Sequence, residues 1–207
     1  MPRPLSRSFY ARPSLVVARD LLGRLLVRTL PEVTLLGRIV ECEAYREDDS
    51  ASHSYRGVTD RTEVMFGKAG RLYVYFTYGM HYCMNVVTGA EGEGSAVLLR
   101  AVEPLEGLDW MRERRGVADA RLLCRGPARL TQAYGVGRAD NGIDLVEGND
   151  LFVSAGRPIA DGSVGVSPRV GIRTATELPW RFFEAGNPFV SRPAKLPAAS
   201  GRRRGRG

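Results

Sequence analysis

Apolar and polar residues alternate with a period of two over several short stretches of this chain, the pattern of half-buried strands. Arg24 to Leu30 is one such stretch. Leu36 to Tyr45 is a second, with Ile39, Glu41, Glu43 and Tyr45 on one face and Val40, Cys42 and Ala44 on the other. Leu72 to Thr77 sets Leu72, Val74 and Phe76 opposite Tyr73, Tyr75 and Thr77. Tyr78-Gly79-Met80-His81 then reads as a tight turn, because Gly79 tolerates positive φ, and Tyr82 to Val87 as the returning strand of a hairpin. Ala96 to Val102 predicts a further strand ending at Glu103-Pro104, and from Ile143 onward short strands alternate with Gly and Pro turns.

Helical spacing is confined to three short segments. Ser14 to Leu22 carries Leu15, Val16, Ala18, Leu21 and Leu22 ahead of Gly23. Leu108 to Arg115 and Pro127 to Tyr134 are the others, the last opening on Pro127 and stopping at Gly135. Strands dominate and βαβ signals are few, so the expected class is an antiparallel α+β domain with helices at its periphery. The polar loop from Arg46 to Lys68 is long enough to suggest a function of its own.

Composition narrows this picture. At 207 residues and 43% apolar, the chain suits one core and one domain. No apolar run approaches the roughly 18 residues of a membrane span, and Met1-Pro-Arg-Pro-Leu-Ser-Arg lacks the apolar stretch of a signal peptide. Cys42, Cys83 and Cys124 are isolated, and His53 and His81 are the only histidines. The expectation is no zinc, no disulfide framework and a reducing cytoplasm, with Cys42 and Cys83 as small core residues. The net charge of +7 is unevenly spread: without Arg192, Lys195, Arg202, Arg203, Arg204 and Arg206, 24 basic residues face 23 acidic ones. A nearly neutral body, 1–191, is therefore expected to carry a basic, disordered tail, 192–207, that either grips phosphates nonspecifically or solubilises the terminus.

Candidate chemistry gathers around the aromatic hairpin. Glu43 and Tyr45 share a strand face just before the loop that holds His53, and Tyr75 faces the same way as Tyr73. Taken singly, each tyrosine reads as a core residue with a satisfied hydroxyl. Together, Tyr45, Tyr75 and His53 supply π faces for a flat base and Glu43 a group to handle a water. An aromatic and a methionine at an exposed turn also want a partner, and stacked bases are one.

Longer motifs sharpen this. Glu43-Ala44-Tyr45, His53-Ser54, Met65-Phe66, Leu72-Tyr-Val-Tyr75, Tyr78-Gly79-Met80, Cys83-Met84-Asn85 and Leu98-Leu-Arg100-Ala-Val-Glu-Pro-Leu-Glu-Gly107 resemble the alkyladenine (3-methyladenine) DNA glycosylases. The likeness continues through Cys124-Arg-Gly-Pro127 and Arg169-Val-Gly171 to Gly186-Asn-Pro-Phe-Val-Ser191. It implies a single curved, mostly antiparallel sheet, an open Greek-key-like barrel, with a protruding β-hairpin. It further implies a monomer without cofactor or metal that binds duplex DNA containing damaged purines in the minor groove. By position, Glu43 resembles the general base that activates water and Arg100 the residue that holds that water and carboxylate. Tyr45, His53 and Tyr75 resemble the pocket walls, and Asn85 the side chain that rejects the amino group of guanine. Tyr78, followed by Met80, resembles the wedge that enters the groove, while Tyr73 and His81 carry no implied role.

Lysine content bears on mechanism. Lys68 and Lys195 are the only lysines, whereas a glycosylase that also cuts the strand needs an amine for a Schiff base. Lys68, in a Met-Phe-Gly-Lys-Ala-Gly loop, suits phosphate contact, so hydrolysis by water without strand cleavage is expected. Pro2, exposed if Met1 is trimmed, is the rival amine, but the chain departs from formamidopyrimidine-type glycosylases after that residue. Two departures from the alkyladenine pattern of animal enzymes touch pocket shape: the Tyr45 to His53 loop is one residue shorter, and Ala90-Glu-Gly-Glu-Gly94 adds acidic length. A noncatalytic nucleic-acid module is the competing reading, and Glu43 argues against it because a carboxylate repels phosphate.

Overall fold

The computed structural model describes residues 2–77, 79–148 and 150–192. Eight strands form one sheet: β1 (Leu25–Thr29), β2 (Thr34–Tyr45), β3 (Leu72–Thr77), β4 (His81–Val87), β5 (Ala96–Glu106), β6 (Leu151–Ser154), β7 (Val164–Ser167) and β8 (Arg181–Glu184). The main path runs β3-β4-β5-β2-β1-β6. β8 joins the second half of β2 on the edge that β1 occupies along the first half, and β7 extends from β8. All these pairings are antiparallel. The α+β class and antiparallel sheet are as expected. The sheet is not closed into a barrel: β3 and β6 end the path without pairing to each other.

Among the described residues four short helices pack around the sheet: α1 (Arg7–Tyr10), α2 (Ser14–Asp20), α3 (Leu108–Arg115) and α4 (Pro127–Tyr134). α1 was not visible in the sequence pattern, since four residues are too few to show a period. α4 begins on Pro127 and ends where Gly135, at φ 62°, turns its N–H back onto the Gln132 and Thr131 carbonyls. Leu130, Ala133 and Tyr134 of α4 join Ile39, Leu72, Met84 and Leu99 in the principal core. The Arg46 to Lys68 loop contains two 3₁₀ turns, His53–Arg56 and Glu63–Phe66.

The strict alternation read for residues 36 to 45 fails at one point. Register shifts flank Glu41, with Ile39 opposite Val102, Glu41 opposite Ala101 and Cys42 opposite Leu99, leaving Val40 as the extra residue of a bulge. Ile39 accordingly joins Cys42 and Ala44 in the principal core, while Val40 packs with Ala101, Phe183 and Val190 in a smaller cluster. The bulge re-aims the end of β2, where Glu41, Glu43 and Tyr45 lie.

The β3 and β4 hairpin closes from Thr77 to His81, one residue earlier than predicted, with Gly79 at φ 67°. Phe76 is half exposed, and Met80 is 71% exposed. Tyr78 lies outside the described residues, as do Lys195, Arg202, Arg203 and Arg204, so the wedge and most of the predicted tail fall there. Arg192 is described, and its carbonyl accepts a hydrogen bond from Arg181 Nη2.

Candidate active site

Antiparallel pairing builds the site. β2 ends with Glu41, Glu43 and Tyr45; β5 runs back beside it and brings Arg100; β8 brings Arg181 opposite Glu43. β3 and β4 add Tyr73, Tyr75, Cys83 and Asn85 on the far side of β5. Between them lies a cavity of about 350 Å³ walled by Tyr45, His53, Tyr73, Tyr75, Asn85 and Arg100, with residues 170–174 along its rim. Five of the six residues predicted for catalysis and the base pocket thus meet at one cavity.

Glu43 is the sixth, one layer behind that wall and fully buried. Its carboxylate accepts three hydrogen bonds. Tyr45 Oη donates to Oε2 at 3.0 Å, Arg100 Nη1 donates to Oε2 at 3.1 Å, and the Val170 backbone N–H donates to Oε1 at 2.7 Å. A carboxylate offers about four acceptor sites, so one on Oε1 remains for a further donor. Burial drives the Tyr45 hydroxyl well above the usual tyrosine range, and the Glu43 charge adds to the effect, so Tyr45 stays a donor.

Arg100 is anchored from behind. Its Nε donates to Glu41 Oε1 at 2.8 Å and its Nη2 to Ser191 Oγ at 3.3 Å. Glu41 also takes Arg181 Nε at 2.7 Å, the Ser191 N–H at 2.6 Å and Ser191 Oγ at 2.8 Å. Burial alone would raise the Glu41 carboxyl, but the Arg100 and Arg181 guanidinium groups and the Ser191 N–H outweigh it and hold it below the usual range. Arg169, fully buried, pairs with Asp49 and lies 4.6 Å over the Tyr45 ring and 5.0 Å over Trp180. That arrangement fixes the neighbouring Val170 N–H against Glu43.

The aromatic walls support one another. Tyr73 and Tyr75 are stacked, with centroids 5.6 Å apart and planes 29° apart, and His53 meets Tyr75 edge-on at 4.5 Å. His53 Nδ1 lies 3.0 Å from Tyr73 Oη, and Arg61 Nη2 approaches Nε2 at 3.4 Å. Since arginine can only donate, Nε2 is the acceptor and the single proton sits on Nδ1. Burial against the tyrosines, helped by the Arg61 charge, lowers the imidazole to about 4. His53 as a whole residue is exposed, so water tempers this shift, but a neutral ring at physiological pH follows from its direction.

Some roles differ from expectation. Tyr73, expected in the core, is buried yet forms part of the cavity wall. Cys83, also expected as plain core, lines the same cavity with its thiol against the Tyr75 hydroxyl. Lys68 is exposed and borders a separate shallow cavity with Arg7, Gly89 and Glu91. Glu41, Asp49, Arg169, Arg181 and Ser191 were not singled out beforehand. Their only signals were the shared strand face of Glu41 and Glu43 and the quoted motifs containing Arg169 and Ser191. Among the described residues no group of three or more His, Cys, Asp and Glu side chains is arranged to hold a metal ion, and no helix is long and apolar enough to cross a membrane.

Walls with π faces around a space of this volume, backed by a carboxylate that three donors fix, suit a planar heterocycle and place the protein among enzymes that act on nucleobases. Residues 8–188 match the methylpurine-DNA glycosylase family. A protein of Carboxydothermus hydrogenoformans is 50% identical over 188 residues, covering 91% of this chain and 98% of its own. One from Chlorobaculum tepidum is 45% identical over 203 residues, 97% of each chain, and one from Methanoculleus marisnigri 50% identical over 190, 91% of this chain and 98% of its own. All three bear the name 3-methyladenine DNA glycosylase as a provisional assignment. The chain belongs to the methylpurine-DNA glycosylase family, and its work is that of a DNA glycosylase in DNA repair.

Proposed function

We propose that this protein is a monofunctional glycosylase of base excision repair. It flips purines of the 3-methyladenine, 7-methylguanine and hypoxanthine type out of duplex DNA and hydrolyses the N-glycosidic bond with a water activated by Glu43, leaving an abasic site. The observation that carries the reading is the Glu43 carboxylate, held by Tyr45 and Arg100, both of which also face the aromatic cavity. The extruded base stacks among Tyr45, His53 and Tyr75. A purine methylated at N3 or N7 is cationic, stacks strongly on electron-rich rings and leaves without an acid. For a cationic purine, the water oxygen bonds to C1′ as the C1′–N bond breaks, the bond's electron pair leaves with the base, which becomes neutral, and the water proton passes to Glu43 at the acceptor site left on Oε1; hypoxanthine, neutral at the start, takes up a proton as it leaves. This requires the wall at Val170 and Arg100 to admit one water molecule. Asn85, whose Nδ2 donates to the Tyr73 carbonyl at 3.2 Å, excludes the amino group of guanine.

Absence of lyase chemistry is supported by the positions of Lys68 and Pro2; Lys195 lies outside the described residues. Lys68 does not border the base cavity. Pro2 belongs to a segment that runs along β6, where the Leu5 N–H donates to the Val153 carbonyl at 2.8 Å, at the opposite end of the sheet from β3 and β4. Tyr78 and Met80 serve as the minor-groove wedge, and Lys68 with Arg202, Arg203 and Arg204 as phosphate contacts, in a monomer that uses no cofactor and works in the cytoplasm. The test is excision from duplexes carrying each lesion, with strand breaks expected only after alkali or heat. No base release from any of them would end the reading. Tyr78→Ala should weaken affinity for damaged DNA without loss of folding, and unchanged excision would remove the wedge role.

A further inference from the structure

Glu41 is the most heavily bonded carboxylate of the site, yet the chemistry above does not use it. It is fully buried and takes four hydrogen bonds: one from Arg100, one from Arg181 and two from Ser191. Ser191 sits near the end of the described chain, 150 residues from Glu41 in sequence, and also receives Arg100 Nη2. Arg100 therefore divides its donors among three acceptors and gives Glu43 only Nη1. An arginine facing a lone carboxylate ordinarily closes a two-pronged pair. Here Glu41 and Ser191 hold the other prongs away.

We infer that Glu41 and Ser191 are positioning residues that restrain Arg100, keeping one acceptor of Glu43 open for the water, and that the segment carrying Ser191 is thereby a latch on the catalytic carboxylate. The inference rests on Glu43 acting as the base. The groups involved are few. Glu41 faces Arg100 on β5, Arg181 on β8 and Ser191; Glu43 faces Arg100, Tyr45 and the Val170 N–H; Arg169 lies over Tyr45; and the Cys42 thiol on β2, the Tyr75 hydroxyl on β3 and the Cys83 thiol on β4 lie within reach of the two acids' charge. Glu41 and Glu43 are thus two acids set against Arg100 and Arg181, and neutralising Glu41 leaves Arg100 free to close on Glu43. Ser191 ties this group to the turn that precedes it, since Val190 beside it packs on Val40 and Phe183 and its carbonyl accepts from Arg125 Nε at 2.8 Å.

The experiment is single-turnover excision of 7-methylguanine by the full chain across a pH series, alongside binding to a duplex whose lesion nucleotide carries a 2′-fluorine that blocks hydrolysis. Ser191→Ala removes the hydroxyl but keeps the backbone N–H, so the fold is retained, and the maximal rate should fall at least about tenfold, because the hydroxyl's two hydrogen bonds to charged groups, from Arg100 and to Glu41, are lost. Affinity for the fluorinated duplex should not change. The acid limb of the rate profile should move to lower pH, because a Glu43 gripped by two prongs is a weaker base, and Ser191→Thr should restore both rate and limb. Glu41→Gln should move the limb the same way and further. Ser191→Ala with wild-type rate and an unmoved limb, or with rate, affinity and melting temperature all falling together, overturns the latch. Glu43→Gln is the control that separates the two ideas. Undiminished turnover there overturns the base assignment and the latch with it, whereas a dead Glu43→Gln beside a fully active Ser191→Ala overturns the latch alone.

Discussion

Removing the Asp49 carboxylate should reach the Glu43 carboxylate through a charge that lines no part of the cavity. Asp49 and Arg169 are both fully buried at their side chains, Arg169 Nη2 donates to Asp49 Oδ1 at 2.9 Å, and Nη1 serves both Oδ2 and the Ala44 carbonyl. Asp49→Ala leaves the guanidinium between Tyr45 and Trp180 with no counter-charge. Breaking one side of a buried pair costs about 3–5 kcal/mol, or about 6–20 °C in melting temperature for a domain of this size. Arg169 must then shift toward water, and with it the Val170 N–H that holds Glu43 Oε1 at 2.7 Å. Thermal melting and single-turnover excision are measured together, and both are expected to fall. The double substitution Asp49→Ala with Arg169→Met, which replaces the charge by apolar volume, should recover most of the lost melting temperature. A drop below about 2 °C in the single variant, or a double variant no more stable than the single, would refute the claim that an uncompensated charge is the cause.

Asn85→Ala should let undamaged guanine into the cavity, seen as slow guanine release from normal duplex; a variant as discriminating as the wild type would remove that role. His53, lowered from 6.5 to about 4, is neutral in the folded protein while the unfolded chain takes up its proton first. Stability from the neutral ring is therefore complete above 6.5 and lost as pH falls toward about 4. Binding of a cationic 7-methylguanine duplex should be lost only below the ordinary histidine range, and a loss centred near 6.5 would contradict the lowered imidazole. Deleting residues 193–207 removes Lys195, Arg202, Arg203, Arg204 and Arg206, and should flatten the salt dependence of binding by roughly 0.9 log units per decade of salt for each phosphate no longer neutralised, with excision retained. Loss of all excision would mean that part of the segment belongs to the fold.

Strand period and glycine stops were enough to draw β2, β3, β4 and α4 almost to their ends, because these elements bury one face and expose or functionalise the other. The bulge at Val40 was not legible: an inserted residue leaves the letters alternating while the backbone changes face, so the alternation pairs Ile39 with Glu41 although Ile39 lies with Cys42 in the core. The pocket residues were legible through motifs that keep Glu43, Tyr45 and His53 within one strand and the following loop. Tyr73 was undervalued because a buried tyrosine on a strand looks the same whether its ring faces the core or a cavity. Asp49 with Arg169, and Glu41 with Ser191, are separated by 120 and 150 residues. Local pattern holds nothing about pairings at such range. They emerge only once β2, β5 and β8 are laid side by side.

The most direct measurement is single-turnover release of 7-methylguanine from duplex DNA by the wild type and by Glu43→Gln, with the strands examined before and after alkali. Wild type should release the base and leave an intact strand that breaks only on alkali, and Glu43→Gln should be slower by about a thousandfold while still binding the lesion, the scale on which a general base acts. Release by Glu43→Gln at the wild-type rate, or a covalent complex trapped by borohydride, would contradict hydrolysis by a Glu43-activated water.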